Sequence, residues 1–156
     1  MNESYEETLF RYGISCAENL VMLGKITKAD YDRLMDYQRR KEVPDREFVE
    51  RVFVAAVERI GREKTTEAVE KYFLERHNEV IDRREGSYAI MPDVMCENCK
   101  IRDGIVVGID VLKGVPFPIY KIKYGDKEEI AFGKYFRDVC IGDRVRTHNK
   151  SVVKKL

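Results

Sequence analysis

Tryptophan is absent from this chain, glutamine occurs once (Gln38), asparagine five times, and the only histidines are His77 and His148. Two histidines leave few centres for imidazole-based acid–base chemistry or metal binding. The scarcity of thermolabile amides beside a charged fraction of 37% resembles the composition of hyperthermophile proteins, in which ion-pair networks cost less desolvation as temperature rises. No run approaches the roughly 20 apolar residues that a membrane-spanning helix needs. The opening Met-Asn-Glu-Ser-Tyr-Glu-Glu is acidic where a secretion signal is basic and then apolar. These absences lead to the expectation of a cytoplasmic protein without a membrane partner. There the four cysteines, Cys16, Cys96, Cys99 and Cys140, are thiols or metal ligands, although thermophile chemistry keeps a Cys99–Cys140 or Cys96–Cys99 disulfide open. Phosphate loops, nucleophile elbows and zinc-binding helix motifs are missing from residues 1–86.

What is present divides into two parts. The 156 residues, 44% of them hydrophobic, suffice for one domain or for two small units. The net charge of +1 conceals an asymmetry: residues 1–86 carry 16 basic and 19 acidic side chains, residues 87–156 carry 13 and 9. The pattern of apolar residues changes at the same place, from helical to alternating. The expected fold is therefore α+β: an N-terminal bundle of about four helices over 1–86, then a small antiparallel β-sheet or barrel over 87–156.

Each helix has its own start and stop. Residues 4–24 carry two adjacent apolar lines ending at Gly24, with Cys16 read as a buried small hydrophobe. Thr27 and Asp30 have capping-box spacing and open a surface helix from Lys28 to about Arg40. Pro44 and the acids after it start a third helix over about Asp45 to Arg62. Its run Val52-Phe53-Val54-Ala55-Ala56-Val57 implies the centre of the bundle or a subunit interface, so that the protein is expected to be a homo-oligomer through its helical half. Thr65 or Thr66 caps a fourth helix with a stripe of Val69, Tyr72, Phe73, Val80 and Ile81, closed by Gly86. On it His77 lacks a glutamate three residues before it, since position 74 is Leu74. That predicts a solvent-facing or interface histidine.

In the second half, Ile105 to Leu112 is β-branched enough for a central strand, and Asp103-Gly104 predicts a short loop joining it to Cys99-Lys100-Ile101. Pro116 and Pro118 place a loop before a hairpin over Ile119 to Phe132. A three-residue turn, Gly125-Asp126-Lys127, predicts Tyr120 opposite Phe132, Ile122 opposite Ile130 and Lys123 opposite Glu129; a two-residue turn sets Ile122 against Glu129. Strands over about Val139 to Thr147 and Ser151 to Lys154 follow, with His148-Asn149-Lys150 between them.

Three candidate sites emerge. The basic tract Arg144, Arg146, His148, Lys150, Lys154 and Lys155 has no acid after Asp143. It offers a track for nucleic acid or another anionic partner, with Tyr120, Tyr124, Phe132, Tyr135 and Phe136 as stacking surfaces. A lysine-rich terminal strand equally guards an edge against pairing. Cys96, Cys99, Cys140 and His148 are candidate ligands of a structural zinc, provided Glu97-Asn98 makes a tight turn, because strand residues three apart face opposite ways. A redox dithiol fits less well, since the pair does not open a helix. Last, Cys140 with His148 and acids such as Asp103, Asp138 and Asp143 contains the residue types of a nucleophile and base, without a spacing that fixes their geometry. The expected role is a small binding module rather than an enzyme.

Overall fold

A computed structural model describes residues 2–156, which separate into two compact units, Met1–Ile90 and Met91–Leu156. The protein is α+β: helices first, then a closed five-stranded barrel. Among the described residues no helix is long and apolar enough to cross a membrane.

In the first unit, α1 (Tyr5–Gly13) begins where the Glu7 N–H donates to Ser4 Oγ, and a 3₁₀ turn (Ile14–Cys16) joins it to α2 (Ala17–Met22). Leu9, Tyr12 and Ala17 are fully buried, as the two-line stripe predicts, whereas Cys16, expected to be buried, and Leu20, Val21 and Leu23 farther along the same lines are half-buried. α3 (Lys28–Arg40) carries the reciprocal Thr27–Asp30 capping box and buries only Leu34, the narrow contact expected of a surface helix.

The third helix departs from expectation. It breaks at Phe53 (φ −103°, ψ 38°) into α4 (Arg46–Val52) and α5 (Val54–Ile60). Val52 and Phe53 are buried, but α5 buries no residue and Val54 is 51% exposed, so this run is not the centre of the bundle. The break lets the Phe53 ring lie against the backbone of Gly13, where a Cβ would stand 2.7 Å from it. An apolar run that encircles a straight helix is thus divided into a buried end and an exposed one.

The fourth helix contains a π turn: α6 (Thr66–Lys71), Tyr72–Arg76 in π conformation, then α7 (His77–Asp82). Its predicted stripe is buried throughout. His77, predicted to face solvent or an interface, is instead 3% exposed among the rings of Tyr72, Phe73 and Tyr88. Spacing explains the correction, since His77 lies four residues after Phe73 and shares its helix face.

The second unit opens on α8 (Asp93–Cys99), a helix where a strand or turn is predicted. Pro92 caps it by accepting the Met95 and Cys96 N–H groups, and Asp93 supplies an acid in the first turn. β1 (Arg102–Asp110) then runs straight through Asp103-Gly104, which is no loop. Glycine is needed at 104 for close approach, because a Cβ there would sit 2.5 Å from Ile122 Cγ2 and 2.8 Å from the Lys123 carbonyl oxygen.

β2 (Ile119–Tyr124) and β3 (Lys127–Phe132) pair in the two-residue register: Tyr120 opposite Ala131, Ile122 opposite Glu129, Lys123 opposite Glu128. Two causes override the three-residue turn. Gly125 holds φ +58°, as the first position of a II′ turn requires. In a narrow barrel, moreover, the large Tyr120 needs a small partner across from it, which Ala131 supplies. The expected strand over Val139–Thr147 shortens to β4 (Arg144–His148), and β5 (Ser151–Lys155) follows a turn of Asn149-Lys150, both at positive φ. The order β1-β2-β3-β5-β4 closes on itself, with β3 and β5 pairing in parallel at Phe132 and Ser151. The core holds Val106, Tyr120, Ile122, Ala131, Val139, Val145 and Val152, with Tyr124 and Phe136 against it.

Candidate functional site

The β4 register decides where the basic tract goes. Arg102 faces Thr147 on the inside of the barrel and Asp103 faces Arg146 on the outside, so Arg144, Arg146 and His148 do alternate along one outer face. They do not make an open track. The Arg146 guanidinium donates to both carboxylate oxygens of Asp103, at 2.7 and 2.8 Å, and is 8% exposed. His148 is 1% exposed. Lys155 pairs with Asp143 at 2.8 Å, which holds the carboxyl of Asp143 below its ordinary range. Arg144 is exposed, while Lys150 and Lys154 are half-buried.

A different surface gathers basic and aromatic groups. On the outer face of β2 and β3 the register alternates Ile119, Lys121 and Lys123 with Glu128, Ile130 and Phe132. Lys121 and Lys123 are exposed, as is Ile130 at 53%. Among the described residues neither lysine has an ion-pair partner. At the end of this face the Phe132 N–H donates to the Lys150 carbonyl at 2.7 Å, bringing the β4–β5 turn against β3. Phe117, from the β1–β2 loop, meets the Phe132 ring edge-on at 5.9 Å, and the Lys134 ammonium lies 5.7 and 5.9 Å from the two rings. Both phenylalanines are half-buried. Of the aromatics singled out in the sequence, Tyr120, Tyr124 and Phe136 belong to the barrel core; Phe132 faces outward. Phe117 escaped the sequence reading, although an aromatic held between two prolines in a loop is itself a signal.

Cys140 stands apart from Cys96 and Cys99. Cys96 and Cys99 fall on one face of α8 and are buried, each 2% exposed. Cys99 Sγ is 3.6 Å from His148 Nε2, and Cys96 Sγ lies 3.7 Å from the Met91 carbonyl. Cys140 is exposed in the turn before β4, where its N–H donates to Asp143 at 2.8 Å. Among the described residues Cys140 has no hydrogen bond to His148, so the Cys140–His148 pairing considered for catalysis has no contact to build on.

One polar group of residues stands inside the barrel wall. Arg102 donates to both oxygens of Glu129, at 3.0 and 2.7 Å, and its guanidinium carbon lies 4.2 Å from the Tyr124 ring centroid. Tyr124 shares a 2.7 Å hydrogen bond with Thr147 Oγ1. The hydrogen bonds from Arg102 hold the Glu129 carboxyl below its ordinary range, and burial pushes the Tyr124 hydroxyl up. Neither a protein-family model nor a curated protein nor a solved structure matches the chain.

Proposed function

We propose that the protein is a binding module for single-stranded nucleic acid, and that the strand lies across the outer face of β2 and β3. The observation that carries this reading is the meeting of Phe117, Phe132 and Lys134 with the β4–β5 turn, next to exposed Lys121 and Lys123, neither of which is held in an ion pair among the described residues although Glu128 stands across from Lys123. A cation over two rings also serves simply to pin a loop. What favours a ligand is the adjoining row of Lys121, Lys123 and exposed Ile130, which contributes nothing to the core. Stacking platforms beside a positive groove suit single strands, because every base has a flat face and every phosphate a charge. Five-stranded Greek-key barrels bind oligonucleotides over this same face and through these two loops. That parallel is an analogy of architecture and ranks below the residues themselves. Relative to the sequence reading, the proposal keeps Lys150 and Phe132 and moves the centre away from Arg146 and His148, whose charge and position are committed elsewhere.

Fluorescence anisotropy with labelled RNA and DNA oligonucleotides tests it. Affinity should fall steeply with salt, each lost phosphate contact reducing the log–log slope by about 0.7. Phe132→Ala should weaken binding by about 1–3 kcal/mol, the value of one stacked base. The double variant Lys121→Glu/Lys123→Glu should weaken it further and flatten the salt dependence, while Lys155→Ala should change little. Absence of binding at low salt would sink the reading.

A further inference from the structure

We propose a second site in the barrel unit: a zinc ion held by Cys99 and His148, with Cys96 as a third ligand. Three observations lead there. Cys99 and His148 come from the end of α8 and the end of β4, 49 residues apart, yet their ligating atoms stand 3.6 Å from each other. Given bond lengths of about 2.3 Å to sulfur and about 2.0 Å to nitrogen, that separation corresponds to an S–Zn–N angle of about 110–115°, near tetrahedral. Both residues are buried, at 2% and 1% exposure, where a thiolate and an imidazole are costly unless coordinated or hydrogen-bonded.

Cys96 lies one helical turn before Cys99 on the same helix face; its sulfur now lies 3.7 Å from the Met91 carbonyl and would reach the ion through another rotamer. Helical geometry thus achieves what a strand forbids, since residues three apart in α8 share a face. The ion would fasten a helix of seven residues, too short to be stable alone, to the barrel wall. Cys140, exposed and bonded through its backbone to Asp143, is not a ligand. A plain S–H···N hydrogen bond fits the same 3.6 Å, and metal exchange separates the two.

The test uses the full chain purified without a metal-affinity step. Elemental analysis should give about one zinc per protein, and cobalt added after chelation should produce the intense visible and near-ultraviolet absorption of a tetrahedral thiolate site. Thiol titration of the zinc form should leave Cys140 reactive and protect Cys96 and Cys99. Cys99→Ser should abolish the cobalt spectrum, His148→Gln and Cys96→Ser should weaken zinc affinity by about tenfold or more, and Cys140→Ser should leave it unchanged. Should a variant fail to fold, the wild-type cobalt spectrum decides alone. Folded wild-type protein that holds no zinc and gives only the faint spectrum of hydrated cobalt overturns the site, as does undiminished binding by Cys99→Ser/His148→Gln. The nucleic-acid reading has its own readout in the anisotropy of wild-type protein, and because the β4–β5 turn on that face follows His148 directly, oligonucleotide affinity is measured on the wild type and not on His148→Gln.

Discussion

At the scale of single residues, several charged side chains have an assignable task and a measurable consequence. Asp30 both caps α3 and accepts two hydrogen bonds from Arg51, at 2.8 and 3.2 Å. Arg51 first of all, with Thr27 in support, lowers its pKa from 3.8 to about 2. A carboxyl whose folded pKa lies below the unfolded one stabilises fully above the unfolded value and loses that contribution as pH falls toward the folded value. Stability should therefore decline between about pH 4 and pH 2 partly on account of this residue. Asp30→Asn should lower stability at neutral pH and flatten that acid limb, as read from urea midpoints at pH 6, 4 and 2.5. An unchanged acid limb in the variant would show that other carboxylates carry it. His77 teaches a different lesson. Its spacing from Phe73 places it on the buried face of its helix, and the lack of a ligand at position 74 has no bearing on its exposure.

At the scale of elements, local signals with one dominant physical cause were readable. The Thr27–Asp30 box and the cap at Thr65 are each set by residues within three positions of one another, and the fourth-helix stripe by a local period; the third helix starts one residue later than its proline suggests, with Asp45 as the cap rather than in the first turn. Elements failed where a distant partner chooses. Phe53 breaks its helix against Gly13, forty residues earlier. Asp103-Gly104 reads as a turn but is extended, because β2 needs the missing Cβ. Ala131 overrules the apolar pairing that favoured the longer turn. The β4–β5 turn offers a test of whether strain is kept for function. Asn149 and Lys150 both hold positive φ, 47° and 57°, the I′ pattern that prefers Asn-Gly, and a side chain in that region costs about 1 kcal/mol. Lys150→Gly should raise stability by up to about 1 kcal/mol while weakening oligonucleotide affinity. A more stable variant with unchanged affinity would remove Lys150 from the binding face.

At the scale of the molecule, the acidic helices and the basic barrel are compact units of different charge, and a polyanion should select the second. Ultraviolet crosslinking of a bound oligonucleotide, followed by peptide mapping, should place adducts in the segment 111–134. Adducts confined to residues 1–90 would refute the assignment.

The sequence by itself determined the class of this protein: helices then strands, a small sheet or barrel, an acidic half and a basic half, and much of which helix faces are apolar. Periodicity, caps and charge are local properties, written in residues a few positions apart. Only the tertiary structure decided which cations are open to a ligand. Arg146 is cancelled by Asp103, Lys155 by Asp143, and Lys121 and Lys123 by no described residue, and those pairings depend on strand register. Register likewise brought Phe117 to Phe132 and Cys99 to His148, across 15 and 49 positions. Barrel closure imposes such distances, and spacing along the chain carries no trace of them.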